Sequence, residues 1–386
     1  MNMTYLTRSR PTLPPTLLQT LAVAAALGLG ALATGCGSSG GSGASAASGA
    51  PPAVVPVPVA SRPAFDLTKD VHPFDPALVK QWPGLPNVGT SCYVNAGIKL
   101  LAAMPDLDPL LAIAPGDAAT TARVRTSLRR IINFIRSGGV LVGAPERDAE
   151  GLLRAVFEAF QAHPDLRSSV ENLRGGGGFA TMVVNRALRV LGAGNRYTLR
   201  IEVKTTPVQP LALPRYGTDH SNVLMVSSDP DDGAFDPARV HSTADFIRLA
   251  FTEACTFPSG RPDYLHNRVQ TFPTQVPDNL VLEFNHHAGP TRALPFSEQV
   301  AVATYEVDPA HGTELRQGDV PMRALAATVF RTGHFWAVIR GADGWYKQDD
   351  ATPSTPVPLT DLDEQANSQG GLTRHLEQVL YQRGQP

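Results

Sequence analysis

The residue with the clearest capacity for covalent chemistry is Cys92, which follows a loop rich in glycine, proline and asparagine. After it, apolar residues recur at helical spacing at Val94, Ile98 and Leu101 and stop at Pro105. Cys92 is therefore predicted to begin a helix, where unpaired N–H groups and the helix dipole favour the nucleophilic thiolate. Taken alone, an isolated cysteine is more often a small buried hydrophobic residue.

A histidine near the end of the chain could serve as the base for such a nucleophile. His334 opens an apolar segment that runs to Arg340, and a second segment runs from Trp345 to Asp349. A turn at residues 341–344 would join them as a hairpin and bring His334 and Asp349 to the same end. Such a carboxylate orients the imidazole in a Cys-His-Asp arrangement. Read alone, these residues also fit a loop histidine beside surface aspartates.

The elements that must position these residues follow from the hydrophobic pattern. Helical spacing recurs over 124–135, over 152–160 and from Ala244 to Ala254, where Thr243 is the expected cap. Alternating or apolar runs predict strands at Tyr197–Val203, Leu280–Phe284, Val300–Val307, Ala324–Phe330 and Phe335–Arg340. Helices first and strands later indicate an α+β domain with a cleft between a helical lobe and a sheet lobe.

Composition excludes several classes of protein. The net charge of −2 gives no electrostatic footprint for nucleic acid, and 42% hydrophobic with 18% charged residues is ordinary for a globular chain. The three cysteines, Cys36, Cys92 and Cys255, form no CxxC pair, which argues against a disulfide scaffold or a cysteine zinc site. We expect no cofactor and no metal. Cys255 is predicted to be a packed thiol at the end of its helix.

The remaining candidates for binding are weak. His286 and His287 follow a predicted strand without cysteine or carboxylate at metal-ligand spacing, so a solvated loop is the favoured interpretation. Trp336 and Trp345 are expected to pack in the sheet.

The N-terminal segment has the features of an export signal. Arg8 and Arg10 precede an uncharged apolar run from Leu21 to Gly35, and the string LATGC resembles a bacterial lipobox that ends at Cys36. We expect residues 1–36 to be a signal peptide and Cys36 to be lipidated, with an ordinary signal peptide or an uncleaved anchor as alternatives. Residues 37–63 read as a flexible tether, so the folded domain is expected over 64–386.

Two motifs together resemble the Cys box and the His box of the ubiquitin-specific proteases. The first box, approximately G-L-x-N-x-G-x-[TS]-C-Y-x-N, is matched over 84–95 by GLPNVGTSCYVN. The second, G-H-[YF] and then W-x-x-[FY]-[DN]-[DN], is matched by GHF at 333–335 and WYKQDD at 345–350. The segments Val276–Phe284 and Val379–Arg383 resemble two strands of the family. The resemblance spans roughly residues 82 to 383.

The resemblance implies a papain-like cysteine peptidase core and deubiquitinase activity. It implies Cys92 as the nucleophile, His334 as base and acid, Asp349 as the residue that orients the imidazole, and Asn87 as an oxyanion donor. Asp350 is expected to replace Asp349 in part. The alternative for Asn87 is a turn residue whose side chain caps local backbone.

The chain also departs from the family. Gln348 stands where an aromatic residue is usual. Many members of the family have a helix with the motif Q-Q-D-A-x-E-F. At the corresponding place this chain has Gly175–Phe179 followed by ATMVVN, so the polar half of the motif is missing. The zinc-binding fingers region found in many relatives is missing. Recognition of ubiquitin is therefore less firmly implied than the catalytic chemistry.

The leading hypothesis is an exported, membrane-anchored lipoprotein of the bacterial envelope that hydrolyses ubiquitin or ubiquitin-like conjugates and acts as a host-directed effector. The expected partners are these conjugates and a lipid membrane, without nucleic acid. One alternative is an envelope cysteine peptidase that acts on peptidoglycan, and another is an inactive ubiquitin-binding module.

Overall fold

The computed structural model describes residues 71–141, 148–174, 178–192, 199–207, 215–219, 223–227, 239–252, 255–258, 264–285, 294–308, 313–366 and 372–384. All of them lie in the compact unit Pro63–Pro386. The predicted signal peptide, Cys36, the tether and the pair His286-His287 lie outside the described residues.

The first half of the described chain is helical. Its helices are α1 (Cys92–Ala102), the single turn α2 (Asp108–Leu111), α3 (Ala119–Arg136), α4 (Ala149–Ala162) and α5 (Ala180–Val190), and α6 (Thr243–Thr252) follows later. Short 3₁₀ turns lie at Pro76–Gln81, Pro105–Leu107, Arg167–Ser169, Glu171–Arg174 and Leu359–Leu362. Helix α1 starts and stops as its apolar spacing predicted, since Pro105 follows it closely. Among the described helices, none has both the length and the apolar character needed to cross a membrane.

The second half is built of strands. They are β1 (Leu199–Pro207), β2 (Arg215–Asp219), β3 (Val223–Ser227), β4 (Cys255–Pro258), β5 (Tyr264–Pro273), β6 (Asn279–Asn285), β7 (Gln299–Asp308), β8 (Thr313–Arg331), β9 (His334–Arg340), β10 (Trp345–Gln348), β11 (Thr355–Val357), β12 (Gln365–Ala366) and β13 (Leu372–Arg383).

The described strands form two sheets. The smaller has the order β2-β1-β5-β4, and the larger has the order β11-β10-β9-β8-β13-β6-β3, with β7 paired to β8 and β12 to β13. Their pairings are antiparallel apart from the parallel pair β3–β6. The mixture of helices with a largely antiparallel sheet agrees with the predicted α+β class.

The larger sheet has an apolar core on each face. Along β9, Phe335, Ala337 and Ile339 belong to the core that contains the five helices α1 to α5. Val338 belongs instead to the core that contains α6 and β7. This alternation is the period of two that a strand imposes on its side chains. Because every residue of α1 is buried, the helix that begins at Cys92 is held firmly against the sheet.

Two local predictions require correction. Thr243 is not the cap of α6, because the Ser242 hydroxyl accepts from the Asp245 backbone N–H at 3.2 Å while the Thr243 hydroxyl accepts from Ser297 N–H. Ser242 therefore occupies the capping position. The helix predicted to reach Ala254 is described as far as Thr252, and Cys255, predicted to lie at the end of that helix, begins β4.

Candidate active site

Cys92 is the first residue of α1, and the loop before it is held by its own polar side chains. The Asn87 Oδ1 atom accepts from Ser91 N–H at 2.9 Å and from the Ser91 hydroxyl at 3.1 Å. The Ser91 hydroxyl in turn accepts from Val88 N–H at 2.9 Å. Because both Asn87 contacts use Oδ1, the Nδ2 group is left as the donating end of the amide. Both interpretations of Asn87, turn residue and oxyanion donor, therefore fit this geometry.

The same loop docks directly on the segment that carries the carboxylates. Leu85 N–H donates to the Asp350 carbonyl oxygen at 2.6 Å. A Cβ atom on Gly84 would lie 2.6 Å from that oxygen and closer still to the backbone of Ala351, a distance that no real side chain tolerates. Only glycine permits this approach of two backbones. The glycine and leucine that open the Cys box thus connect the nucleophile loop to the end of β10.

His334 is placed by a two-residue turn and a short hairpin. Thr332 and Gly333 both have positive φ, at 46° and 79°, between the paired residues Arg331 and His334. Two positive φ angles in a two-residue hairpin loop match the twist of the flanking strands, which explains the glycine before His334. The return strand β10 pairs Gln348 with Ala337, so Asp349 emerges beside His334 as the sequence predicted.

The imidazole of His334 lies between the carboxylate and the thiol. Its Nε2 atom is 2.6 Å from Asp349 Oδ1. The hydrogen bond to Asp349, and then that to Cys92, raise the pKa of His334 to about 10, although partial burial opposes the shift. Because Nε2 faces Asp349, Nδ1 is the ring nitrogen left for the thiol. The arrangement favours an imidazolium beside the cysteine over a wide pH range.

Asp349 is ionised by its neighbours. Burial alone would raise its pKa, but the hydrogen bonds from His334 and from Lys347 prevail and lower it to about 2. Lys347 Nζ lies 2.7 Å from Asp349 Oδ2, so each carboxylate oxygen has its own cationic partner. The Lys347 ammonium also lies 4.7 Å from the ring centre of the half-buried Trp336, which flanks His334 at a ring distance of 6.0 Å. Trp345, by contrast, is buried in the sheet as predicted.

Asp350 has a different environment from its neighbour. Its Oδ2 atom is 4.0 Å from His334 Nε2, beyond a hydrogen bond, and its Oδ1 atom accepts from Asn95 Nδ2 at 3.0 Å. Burial raises the pKa of Asp350, partly offset by Asn95 and by the positive charges nearby. Asn95 also donates to the carbonyl of Pro86 at 3.1 Å, so it links the loop, the helix and the second carboxylate.

These contacts rank the two carboxylates. We expect Asp349→Ala to lower kcat/KM far more than Asp350→Ala, because only Asp349 contacts the imidazole at 2.6 Å. Loss of an orienting carboxylate costs up to about 10⁴-fold in related catalytic arrangements, and the nearby Asp350 should limit the loss here to roughly 10²-fold. Steady-state rates and melting curves of both variants measure this. Equal, severe losses would refute the ranking, and no loss in either would remove Asp349 from the mechanism.

Two residues of this region were not identified as important from the sequence. Lys99, two turns after Cys92, has no solvent-exposed surface, and its Nζ donates to Gln348 Oε1 at 3.4 Å. Gln348 also donates to the Val79 carbonyl at 3.2 Å, which ties β10 to the 3₁₀ turn at Pro76–Gln81. The position where an aromatic residue was expected is therefore a polar junction.

The histidine and the two aspartates also satisfy the spacing of a cation site, since one ligand atom from each lies within 4.8 Å of the others. Their present partners fit another role better. His334 and Lys347 neutralise Asp349, and Asn95 occupies Asp350. A metal would have to displace those contacts, so we assign no metal to the site.

Helix α5 follows the shortened motif at Gly175–Phe179, of which Gly178 and Phe179 are described. The N–H of Ala180 donates to Glu377 Oε2 at 3.2 Å, so a glutamate side chain from β13 caps this helix. Burial and the nearby Glu283 raise the pKa of Glu377 to about 8. Phe179 is 60% exposed, the second most exposed among the described large apolar residues.

Comparisons with known proteins support the fold. No protein-family model and no curated protein matches the sequence. Two similar solved structures are the SAGA DUB module Ubp8/Sgf11/Sus1/Sgf73 bound to monoubiquitin and the same module bound to ubiquitin aldehyde. The first shares 10% identity at a TM-score of 0.50 and covers 80% of this chain and 70% of that chain. The second shares 11% identity at a TM-score of 0.52 and covers 80% and 71%.

These likenesses show a fold similar to that of the SAGA DUB module structures, at low sequence identity. The structure brings Cys92, His334, Asp349 and Asp350 together on this fold, with Asn87 on the loop beside them. Cys255 begins β4 in the smaller sheet, and Cys36 is outside the described residues.

Proposed function

We propose that the chain is a cysteine-type hydrolase that cleaves ubiquitin or a ubiquitin-like protein at a C-terminal amide or ester bond. The observation that carries the proposal is the contact of His334 with Asp349 on one side and with Cys92 on the other. The likeness of the fold to structures of a deubiquitinase module with bound ubiquitin supports the choice of substrate.

The proposed reaction begins from an ion pair in which His334, held in orientation by Asp349, carries the proton of the Cys92 thiol. The thiolate attacks the carbonyl carbon at the C-terminus of ubiquitin, and the amide of Asn87 donates to the oxyanion that forms. His334 returns the proton to the departing amine or alcohol, which leaves a thioester on Cys92. His334 then takes a proton from water as the water oxygen attacks the thioester carbonyl. The C–S bond breaks, the C-terminal carboxylic acid of ubiquitin leaves, and the Cys92–His334 pair with its proton is regenerated.

The proposal is tested by incubating the full chain with ubiquitin that carries a C-terminal electrophile and mapping the adduct by mass spectrometry. We expect one ubiquitin per chain, on Cys92. Ubiquitin without its C-terminal residues but with the same electrophile is the matched control and should react slowly. Labelling at Cys255, or no ubiquitin adduct while a small alkylating agent still modifies Cys92, would contradict the proposed substrate.

We also propose that the chain is exported and anchored through a lipid on Cys36, as the lipobox-like string indicates. Cys36→Ser should then move the protein from the membrane fraction to the soluble fraction, because it removes the acylated thiol. Cys255→Ser is the matched control and should leave the distribution unchanged. An unaltered membrane fraction in Cys36→Ser would argue for an uncleaved anchor.

A further inference from the structure

The inference concerns Lys99, a charged residue in the middle of an apolar helix. Its neighbours Ile98, Leu100 and Leu101 are core residues, and Lys99 itself is 0% exposed. Lysine is almost never buried without a partner, because removal of its charge from water is costly. A hydrogen bond to the neutral Gln348 alone would be weak compensation. The lysine must therefore have another interaction that balances its burial.

That interaction is with the two carboxylates of the site. Burial lowers the pKa of Lys99 to about 8, while the charges of Asp350 and then Asp349 oppose the decrease. The effect is reciprocal, since Lys99 is among the groups that lower the pKa of Asp350 against its burial. The neighbouring charges are therefore Asp349, Asp350 and His334 at the surface of the site, with Lys347 beyond Asp349 and the thiol of Cys92 on the same helix.

Gln348 is the residue that makes this burial feasible. Its Oε1 atom accepts from the Lys99 ammonium at 3.4 Å, and its amide group donates to the Val79 carbonyl and to the Ser354 hydroxyl. A phenylalanine at position 348 would supply no such acceptor. Gln348, which departs from the family pattern, is therefore the hydrogen-bond acceptor that accompanies the buried Lys99.

We propose that Lys99 is a positioning residue of the Cys92–His334–Asp349 site, whose buried ammonium group, hydrogen-bonded to Gln348 next to Asp349, supplies positive charge to the interior side of the site and favours the ionised form of Asp350. The inference rests on the proposed thiol chemistry. Its consequence is a pH-dependent charge inside the fold. Below about pH 8 Lys99 is protonated and stabilises every nearby anion, and above that pH the charge is lost.

The test is the pH profile of Cys92 alkylation by iodoacetamide in Lys99→Met, a variant of similar length without charge. Without the ammonium group, each anion of the site binds a proton more readily. The inflection on the acidic side of the alkylation profile should therefore move up by about 1 pH unit. At pH values below the inflection, the alkylation rate of Lys99→Met should be about tenfold lower than that of the wild type. Above about pH 9 the two profiles should converge, because Lys99 of the wild type is then neutral too. Peptide mapping restricts the signal to Cys92.

The matched control is Lys80→Met, because Lys80 is exposed and pairs with Asp343 away from the site. It should give the wild-type profile. Lys99→Gln retains a donor for Gln348 and removes the charge, so it should behave as Lys99→Met does and serves if the methionine variant fails to fold. A uniform change of rate at all pH values, or an unshifted acidic inflection, would overturn the inference.

The readout separates this inference from the proposed function. A shifted profile without reaction of the ubiquitin electrophile would retain the role of Lys99 and reject the substrate. Reaction with ubiquitin and an unshifted profile would retain the substrate and reject the role of Lys99.

Discussion

Cys92→Ala is expected to abolish hydrolysis, with a fall in kcat of roughly 10⁴-fold or more, because the nucleophile acts as a unit with His334 and Asp349. The variant should remain folded. Cys92 is 8% exposed and contributes one small side chain to a core that contains five helices and the sheet. Turnover of a fluorogenic ubiquitin amide and thermal melting measured together would separate lost chemistry from lost structure.

The matched control is Cys255→Ala, which removes the cysteine at the start of β4 and should retain the wild-type rate. Turnover that survives in Cys92→Ala would exclude the thioester mechanism. A large fall in melting temperature would instead indicate that Cys92 is a packing residue, which is the ordinary role of an isolated cysteine.

Asn87→Ala is expected to lower kcat by roughly 10²-fold, about 2.7 kcal/mol, on the scale of one lost oxyanion donor. The complication is that Asn87 Oδ1 also holds Ser91, so the alanine variant loses a structural contact as well. Asn87→Asp distinguishes the two roles. It keeps an oxygen where Ser91 N–H and the Ser91 hydroxyl donate, but it has no amide donor.

If Asn87 acts on the oxyanion, the aspartate variant should lose at least as much kcat as the alanine variant, with a melting temperature close to that of the wild type. A negative charge near the developing oxyanion would reduce the rate further. Near-normal kcat in Asn87→Asp together with a destabilised Asn87→Ala would show instead that Asn87 is a turn residue.

The placement of the nucleophile and the base could be predicted because the signals are local. The start of α1 at Cys92 follows from apolar spacing over three turns, and the hairpin of β9 and β10 follows from two apolar runs around a turn. Strand β8 shows where such reasoning stops. The pattern predicted a strand at Ala324–Phe330, but β8 already begins at Thr313. The first part of the strand was missed because it is largely exposed and has no apolar face to detect.

The support of the site could not be predicted, because it consists of contacts between distant segments. Lys99 occupies a position that helical spacing leaves polar, and nothing in the nearby sequence indicates that Gln348 covers it. The link from Asn95 to Asp350 joins residues 255 apart. The role of Gly84 depends on the backbone of Ala351, which no local pattern specifies.

The docking of the loop before Cys92 on Asp350 also sets when the proposed hydrolase becomes active. Cys92 is synthesised about 250 residues before the imidazole and the carboxylates that would activate it. At about 5–20 residues per second, that interval lasts at least roughly ten seconds. During this time α1 lacks β9, against which it packs, and Cys92 has no proton acceptor. The proposed hydrolase therefore gains its catalytic arrangement only after β9 and β10 have been synthesised, and a chain that stops before them carries an ordinary thiol.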